Sequence, residues 1–292
     1  MNININENNN FINNANINKT SMHVLSPEHI NVILKYADIC TPSKCNTKYS
    51  NEYYLTNIIH VLKDVVTWRS LQILKFENKP KNHYKTISKM HRLWSKCNVY
   101  NNAFNEIINS NSKCKITNNL FIDGTLIINK NGKESIGYGC GESRKKKYTS
   151  ITLVCNNDVK PISILSSKAN TKILTKNNKT KTIKTLPHDS KSIESSISNI
   201  NSNKTYNLIG DSGYLINEKR KALLPKNVTI IAPKRKNQKI KTTEHEKTHL
   251  KRRYIVENMF AVIKRYNRIH IRRDSSISAY MGFFMLGCIF II

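Results

Sequence analysis

Acidic residues are scarce in this chain. Its 292 residues hold 19 Asp and Glu against 48 Lys and Arg, so 48 − 19 leaves a formal charge of +29. An excess of that size is more than solubility requires. It points to a polyanionic partner, with nucleic acid first and an anionic membrane surface second. Paired cysteine spacings are missing as well. The seven cysteines stand at 40, 45, 97, 114, 140, 155 and 288 without one CxxC, and their number is odd. That pattern argues against a structural zinc site and for buried or free thiols in a reducing compartment. The start, Met1 to Glu7, has neither the basic end nor the apolar core of a signal peptide. The apolar run from Met281 to Ile292 falls short of the roughly 20 residues that span a bilayer. The expectation is a soluble, intracellular protein with no membrane partner.

What is present divides the chain into three. Residues 1–50 read as a disordered Asn-rich arm and linker. Residues 51–114 read as a small all-α, helix-turn-helix-like domain. Tyr54, Ile58, Leu62 and Val65 recur at helical intervals, as do Ile87, Met90, Leu93 and Trp94 with Lys85, Lys89, Arg92 and Lys96 between them. A helical unit that merely packs on its neighbour fits the same pattern equally well. From residue 115 the period becomes extended. Asn119–Ile128 is expected as a buried strand, Asn131-Gly132 as a two-residue hairpin turn, and Ser135–Cys140 as the returning strand. Tyr148–Asn156 and Lys160–Ser166 continue the antiparallel set, and a helix runs from about His188 to Ile200. A β-α-β unit follows, with strands at Tyr206–Gly210 and Thr229–Pro233 about a helix at Ile216–Leu224. The fold class is α/β.

Near the end, Lys251–Arg268 reads as one amphipathic helix. Ile255, Val256, Met259, Val262, Ile263 and Tyr266 form its apolar arc. On the opposite arc, Arg253, Lys264 and Arg268 fall within about 40° of Glu257 at 100° per residue, with small Ala261 among them. A solvated face with an Arg253–Glu257 pair is the bland reading. Two further carboxylates weigh against it: Asp123 inside an apolar run, and Asp211 at the end of a predicted strand. Three carboxylates gathered in a basic protein make a hard-oxygen site for Mg²⁺ or Mn²⁺. Two such ions about 3.5–4 Å apart activate a nucleophile and stabilise the leaving oxygen at a phosphodiester.

The element order resembles the ribonuclease H-like fold, a mixed sheet of three antiparallel strands and then parallel ones. Asp123-Gly-Thr, Gly210-Asp-Ser-Gly-Tyr214 and Arg253-x₃-Glu257-x₆-Lys264 resemble the DDE transposases of the IS4/IS5 insertion-sequence group. Leu250 stands where the fuller signature has a Tyr. The resemblance implies a catalytic and metal-binding triad of Asp123, Asp211 and Glu257 in a domain over 115–292. It also implies DNA contacts from Arg253, Lys264, Arg268 and the basic corner Arg144, Lys145, Lys146 and Lys147. The partners it implies are double-stranded DNA, as inverted-repeat ends and target, and a second copy of the chain in a homodimer on DNA. The reaction implied is cleavage followed by strand transfer. Two alternatives stand beside it: a transposase-derived DNA-binding protein without activity, and a nuclease of the same fold that cuts without joining. A serine-protease reading of Gly210-Asp-Ser-Gly213 conflicts with the helical periods and the charge.

Overall fold

The computed structural model describes residues 25–41, 49–64, 67–75, 79–110, 118–138, 146–168, 189–197, 204–216, 224–225, 227–234 and 242–292. Helices come first. α1 (Pro27–Cys40) starts where the Ser26 hydroxyl accepts from the His29 N–H at 3.2 Å, with Pro27 in the first turn. This segment was expected as linker. Its buried Ile33 and Ala37 and its cap make it a helix packed on the later helix Val99–Ser110 instead. The Asn-rich start, 1–24, lies outside the described residues. α2 (Asn51–Lys63) is capped by Ser50 in the same way. α3 (Trp68–Lys75), α4 (His83–Lys96) and α5 (Val99–Ser110) complete the group.

The strands are β1 (Asn119–Asn129), β2 (Gly137–Tyr138), β3 (Lys147–Cys155), β4 (Pro161–Lys168), β5 (Tyr206–Ile209), β6 (Val228–Ile231) and β7 (Ile271–Arg272). α6 (Asp189–Ile197) lies between β4 and β5. The sheet is mixed. β1 pairs antiparallel with β3, and β3 antiparallel with β4, while β1 runs parallel to β5 and β5 to β6. β1 and β5, far apart in sequence, are thus neighbours in space, and the parallel β5–β6 pair is the arrangement a β-α-β unit requires. The expected hairpin at Asn131-Gly132 does not form. β2 pairs with β3, not with β1. Instead the Gly132 N–H donates to Asn129 Oδ1 at 2.6 Å, and the Lys130 and Lys133 N–H groups donate to the carbonyls of Arg272 and Ser275. The buried Arg272 donates in turn to Thr149 Oγ1 and the Glu134 carbonyl. A long-range guanidinium knot therefore replaces the local turn. Cys140 and the predicted helix over 217–223 lie outside the described residues.

Strand alternation sends neighbouring side chains to opposite faces. Leu120, Ile122, Val154, Tyr206 and Leu208 form one core with Ile193 and Ile197 of α6. Phe121, Ile127, Leu153 and Ile209 face the other way, into a larger core that includes the helices of residues 27–110. Three more helices follow the sheet: α7 (Glu244–Leu250), α8 (Tyr254–Ile263) and the short α9 (Asn267–His270). α10 (Ile277–Ile289) is apolar all round and buried along nearly its whole length, against α4 and α5. Residues from both sides of the boundary expected at 114 therefore share one core.

Candidate active site

β1 and β5 pair with a constant offset: Asn119 with Asn207, Leu120 with Leu208, Phe121 with Ile209. The offset is 207 − 119 = 88, and 211 − 123 is also 88. Asp123 and Asp211 thus occupy matching positions two residues past the last pair, on strands whose spacing is about 4.8 Å. Both share parity with Phe121 and Ile209, which face the larger core. α8 packs on that face through Ile255, Val256, Met259, Phe260 and Ile263. Its outer side exposes Tyr254, Glu257 and Ala261.

Gly210 permits this arrangement. A Cβ there would stand 2.7 Å from the Tyr214 ring and 3.0 Å from Ile122 Cγ2. The backbone just before Asp211 therefore lies against the residue just before Asp123. Asp211 then caps a 3₁₀ turn (Ser212–Tyr214), its Oδ1 accepting from the Gly213 N–H at 2.8 Å. Asp123 Oδ1 accepts from the Gly124 N–H at 2.7 Å. Each carboxylate has one oxygen fixed by local backbone, which sets its orientation.

Asp123 is the electrostatic centre. Desolvation by partial burial raises its pKa above the ordinary 3.8. The Gly124 N–H and the Arg253 guanidinium pull it down, and the charges of Asp211 and Glu257 push it further up. Asp123 therefore feels both of the other carboxylates. Arg253 Nη2 stands 4.0 Å from Asp123 Oδ2, and this is its ion pair among the described residues; the Arg253–Glu257 pair of the bland reading does not form. Arg253 Nε is buried and has no hydrogen-bond partner among the described residues. Lys264 Nζ donates to Thr125 Oγ1 at 2.6 Å. Half-burial lowers the Lys264 pKa, and Asp123 opposes that effect. Both cations thus flank Asp123 rather than pointing freely outward. The role of Thr125 in holding Lys264 was not read from the sequence, although the Asp123-Gly-Thr run contains it.

Arg268 does not join them. The helix ends at Ile263, Tyr266 is extended, and α9 starts anew at Asn267. Arg268 is consequently buried, at 3% exposure, and its Nη2 donates to Asp274 Oδ1 at 2.6 Å. Its guanidinium also lies 5.6 Å from the Trp68 ring centroid and 5.2 Å from that of Phe283. The expected DNA contact at Arg268 is corrected: a buried, ion-paired side chain holds the chain together. Lys146 and Lys147 are exposed at the start of β3, whereas Arg144 and Lys145 lie outside the described residues.

No three His, Cys, Asp or Glu side chains are grouped closely enough to hold a metal among the described residues. The chemistry of the donor set still suits a hard cation. A carboxylate whose proton affinity is raised by burial and by neighbouring negative charge, as that of Asp123 is, is the kind of group a divalent ion relieves.

No curated protein matches the chain. One similar solved structure is a piggyBac transposase synaptic complex with hairpin DNA, at 12% identity and a TM-score of 0.40. The match covers 74% of this chain and 50% of that one, so this chain spans about half that protein's length. Residues 173–277, the part that carries Asp211, Arg253, Glu257 and Lys264, match the family model of the transposase DDE domain.

Proposed function

We propose that this chain is a DDE transposase of the IS4/IS5 type, with a ribonuclease H-like catalytic region, which cleaves and joins DNA at element ends. The observation that carries the reading is the common 88-residue offset of Asp123, on β1, and Asp211, two residues past the end of its parallel neighbour β5, with the charge of Glu257 acting on Asp123. The strand order β4-β3-β1-β5-β6, antiparallel and then parallel, supports the fold assignment. Asp123, Asp211 and Glu257 would hold Mg²⁺ or Mn²⁺. When bound, such ions supply Lewis acidity at a phosphodiester and lower the pKa of a water or 3′-hydroxyl.

The rest falls to the chain's own residues. Gly124 and Gly213 N–H groups aim the two aspartates. Arg253 favours the ionised form of Asp123, and its partly exposed guanidinium has N–H groups beyond that contact for a phosphate oxygen. Lys264, fixed by Thr125, sets a positive charge beside the site for a flanking phosphate. Lys146 and Lys147 add exposed positive charge at the start of β3, six residues or more from Leu153, the partner of Asp123. Double-stranded DNA is the substrate, and two copies of the chain act together on paired ends inside the cell. The test is cleavage of the gene's own flanking DNA in Mg²⁺ or Mn²⁺. Asp211→Asn is expected to bind that DNA and not cut it. Cutting by Asp211→Asn at the wild-type rate would overturn the assignment.

A further inference from the structure

α4 has two distinct faces. Ile87, Met90, His91 and Trp94 are buried, while Lys85, Lys89 and Arg92 are exposed at positions i, i+4 and i+7. These three cations rim a groove of about 600 Å³ whose other lining residues are Trp68, Tyr84 and Ser88. No carboxylate lines it, and none of the three is ion-paired among the described residues. Arg92 is steadied on its own helix by the Ser88 carbonyl and hydroxyl, at 3.3 and 3.2 Å. The Trp68 ring is fixed from behind. It packs at 5.7 Å from the His91 and Phe283 ring centroids, and the ion-paired Arg268 lies over it. An indole held in place costs little further entropy when a flat ligand stacks on it.

We propose that this groove binds single-stranded DNA, one unpaired base stacking on Trp68 and Tyr84 while its flanking phosphates meet Lys85, Lys89 and Arg92. The choice of DNA rests on the cleavage reading above. The choice of a single strand rests on the groove itself. Aromatic walls rimmed by cations suit a ligand with both a free planar face and phosphates, and bases inside a duplex are already stacked. A cationic row with aromatic partners is the pattern by which single strands are held without regard to sequence. Along the helix, Lys85 and Lys89 are about 6 Å apart and Lys85 and Arg92 about 10 Å, at 1.5 Å per residue. That row follows a backbone rather than one isolated phosphate. The volume also falls within the range of small-ligand pockets, about 300–1,000 Å³.

The chain contains two tryptophans, and Trp94 is fully buried, so a ligand in the groove is reported by Trp68. The experiment uses the full chain. Oligo-dT is titrated while tryptophan emission is followed, in parallel with a blunt duplex, oligo-U, and a metal-dependent cleavage assay. Oligo-dT is expected to quench the emission. Tyr84→Ala is expected to weaken oligo-dT binding about tenfold, the scale of one stacked base, and duplex binding less than twofold. Lys85→Ala with Lys89→Ala is expected to flatten the salt dependence of oligo-dT binding by one to two phosphates' worth. Thermal unfolding of each variant confirms an intact fold.

Oligo-dT binding that is unchanged in folded Tyr84→Ala, or that causes no quenching, overturns the proposal. Equal losses for duplex and single strand remove the stacking role and overturn it too. Tighter binding of oligo-U overturns DNA as the occupant. The outcomes separate from those of the cleavage reading. Wild-type cleavage with an unresponsive Tyr84→Ala removes the groove alone. A responsive groove in a protein that never cuts removes the transposase reading alone.

Discussion

Asp123 shows what one residue's surroundings do to its charge. Its carboxylate is partly desolvated and lies within reach of two like charges, so its folded pKa exceeds the ordinary 3.8. The sign follows. Above the folded pKa the ionised group costs stability, and below about 3.8 it is protonated in both states and costs nothing. Asp123→Asn is therefore expected to melt no lower than wild type at pH 7. Any advantage should shrink as the pH falls toward 3.8, as thermal melts across pH would show. His91 runs the other way in charge. Its Nε2 faces the Ala279 carbonyl, which only accepts, so Nε2 carries the proton and Nδ1 accepts from the Tyr100 hydroxyl, both at 2.9 Å. Burial lowers its pKa to about 4. Stability from the neutral ring is present above about 6.5 and is lost as pH falls from there to about 4. Tyr100→Phe is expected to cost about 1–3 kcal/mol in chemical denaturation, the penalty of a buried acceptor left without a donor.

At the level of elements, Gly210 decides whether β5 ends in the right place. Gly210→Ala would drive a methyl into the Tyr214 ring and Ile122. We expect a loss of about 1–3 kcal/mol, as for other overpacked sites, and a cleavage defect out of proportion to it because Asp211 moves. Denaturation and cleavage measured on the same preparation check this. The strands that carry Asp123 and lead into Asp211 were legible in the sequence because apolar runs and strand-end acids are local signals. The helical placement of Glu257 was legible because the periodicity holds over Tyr254–Ile263. Arg268 was misplaced because periodicity does not reveal where a helix stops, and the break at Tyr266 turns that side chain inward. The hairpin at Asn131-Gly132 failed for a related reason. Its competitor was Arg272, some 140 residues away, and no local pattern announces such a partner.

On the scale of the whole molecule, the first helices and the last one are a single structure. α10 closes against α4 and α5, and His91 hydrogen-bonds into it. A chain beginning at residue 112 would bare Phe283, Phe284 and Leu286. It is expected to aggregate rather than behave as an independent catalytic domain, as size-exclusion chromatography would show. The boundary at 114 was plausible in sequence because the period changes there; the shared core forms only once residues 277–289 return. Over the same molecule, the +29 charge predicts DNA affinity that falls steeply with salt, each contacted phosphate contributing about −0.9 to the log–log slope. The central claim is narrower: Asp123, Asp211 and Glu257 act as one metal site. It is tested most directly by titrating Mn²⁺ into the wild-type protein and into Asp123→Asn, Asp211→Asn and Glu257→Gln, following free Mn²⁺ by electron paramagnetic resonance. The account predicts Mn²⁺ binding by wild type and a loss of at least about tenfold in affinity for every one of the three. Wild-type affinity in any folded variant would contradict it.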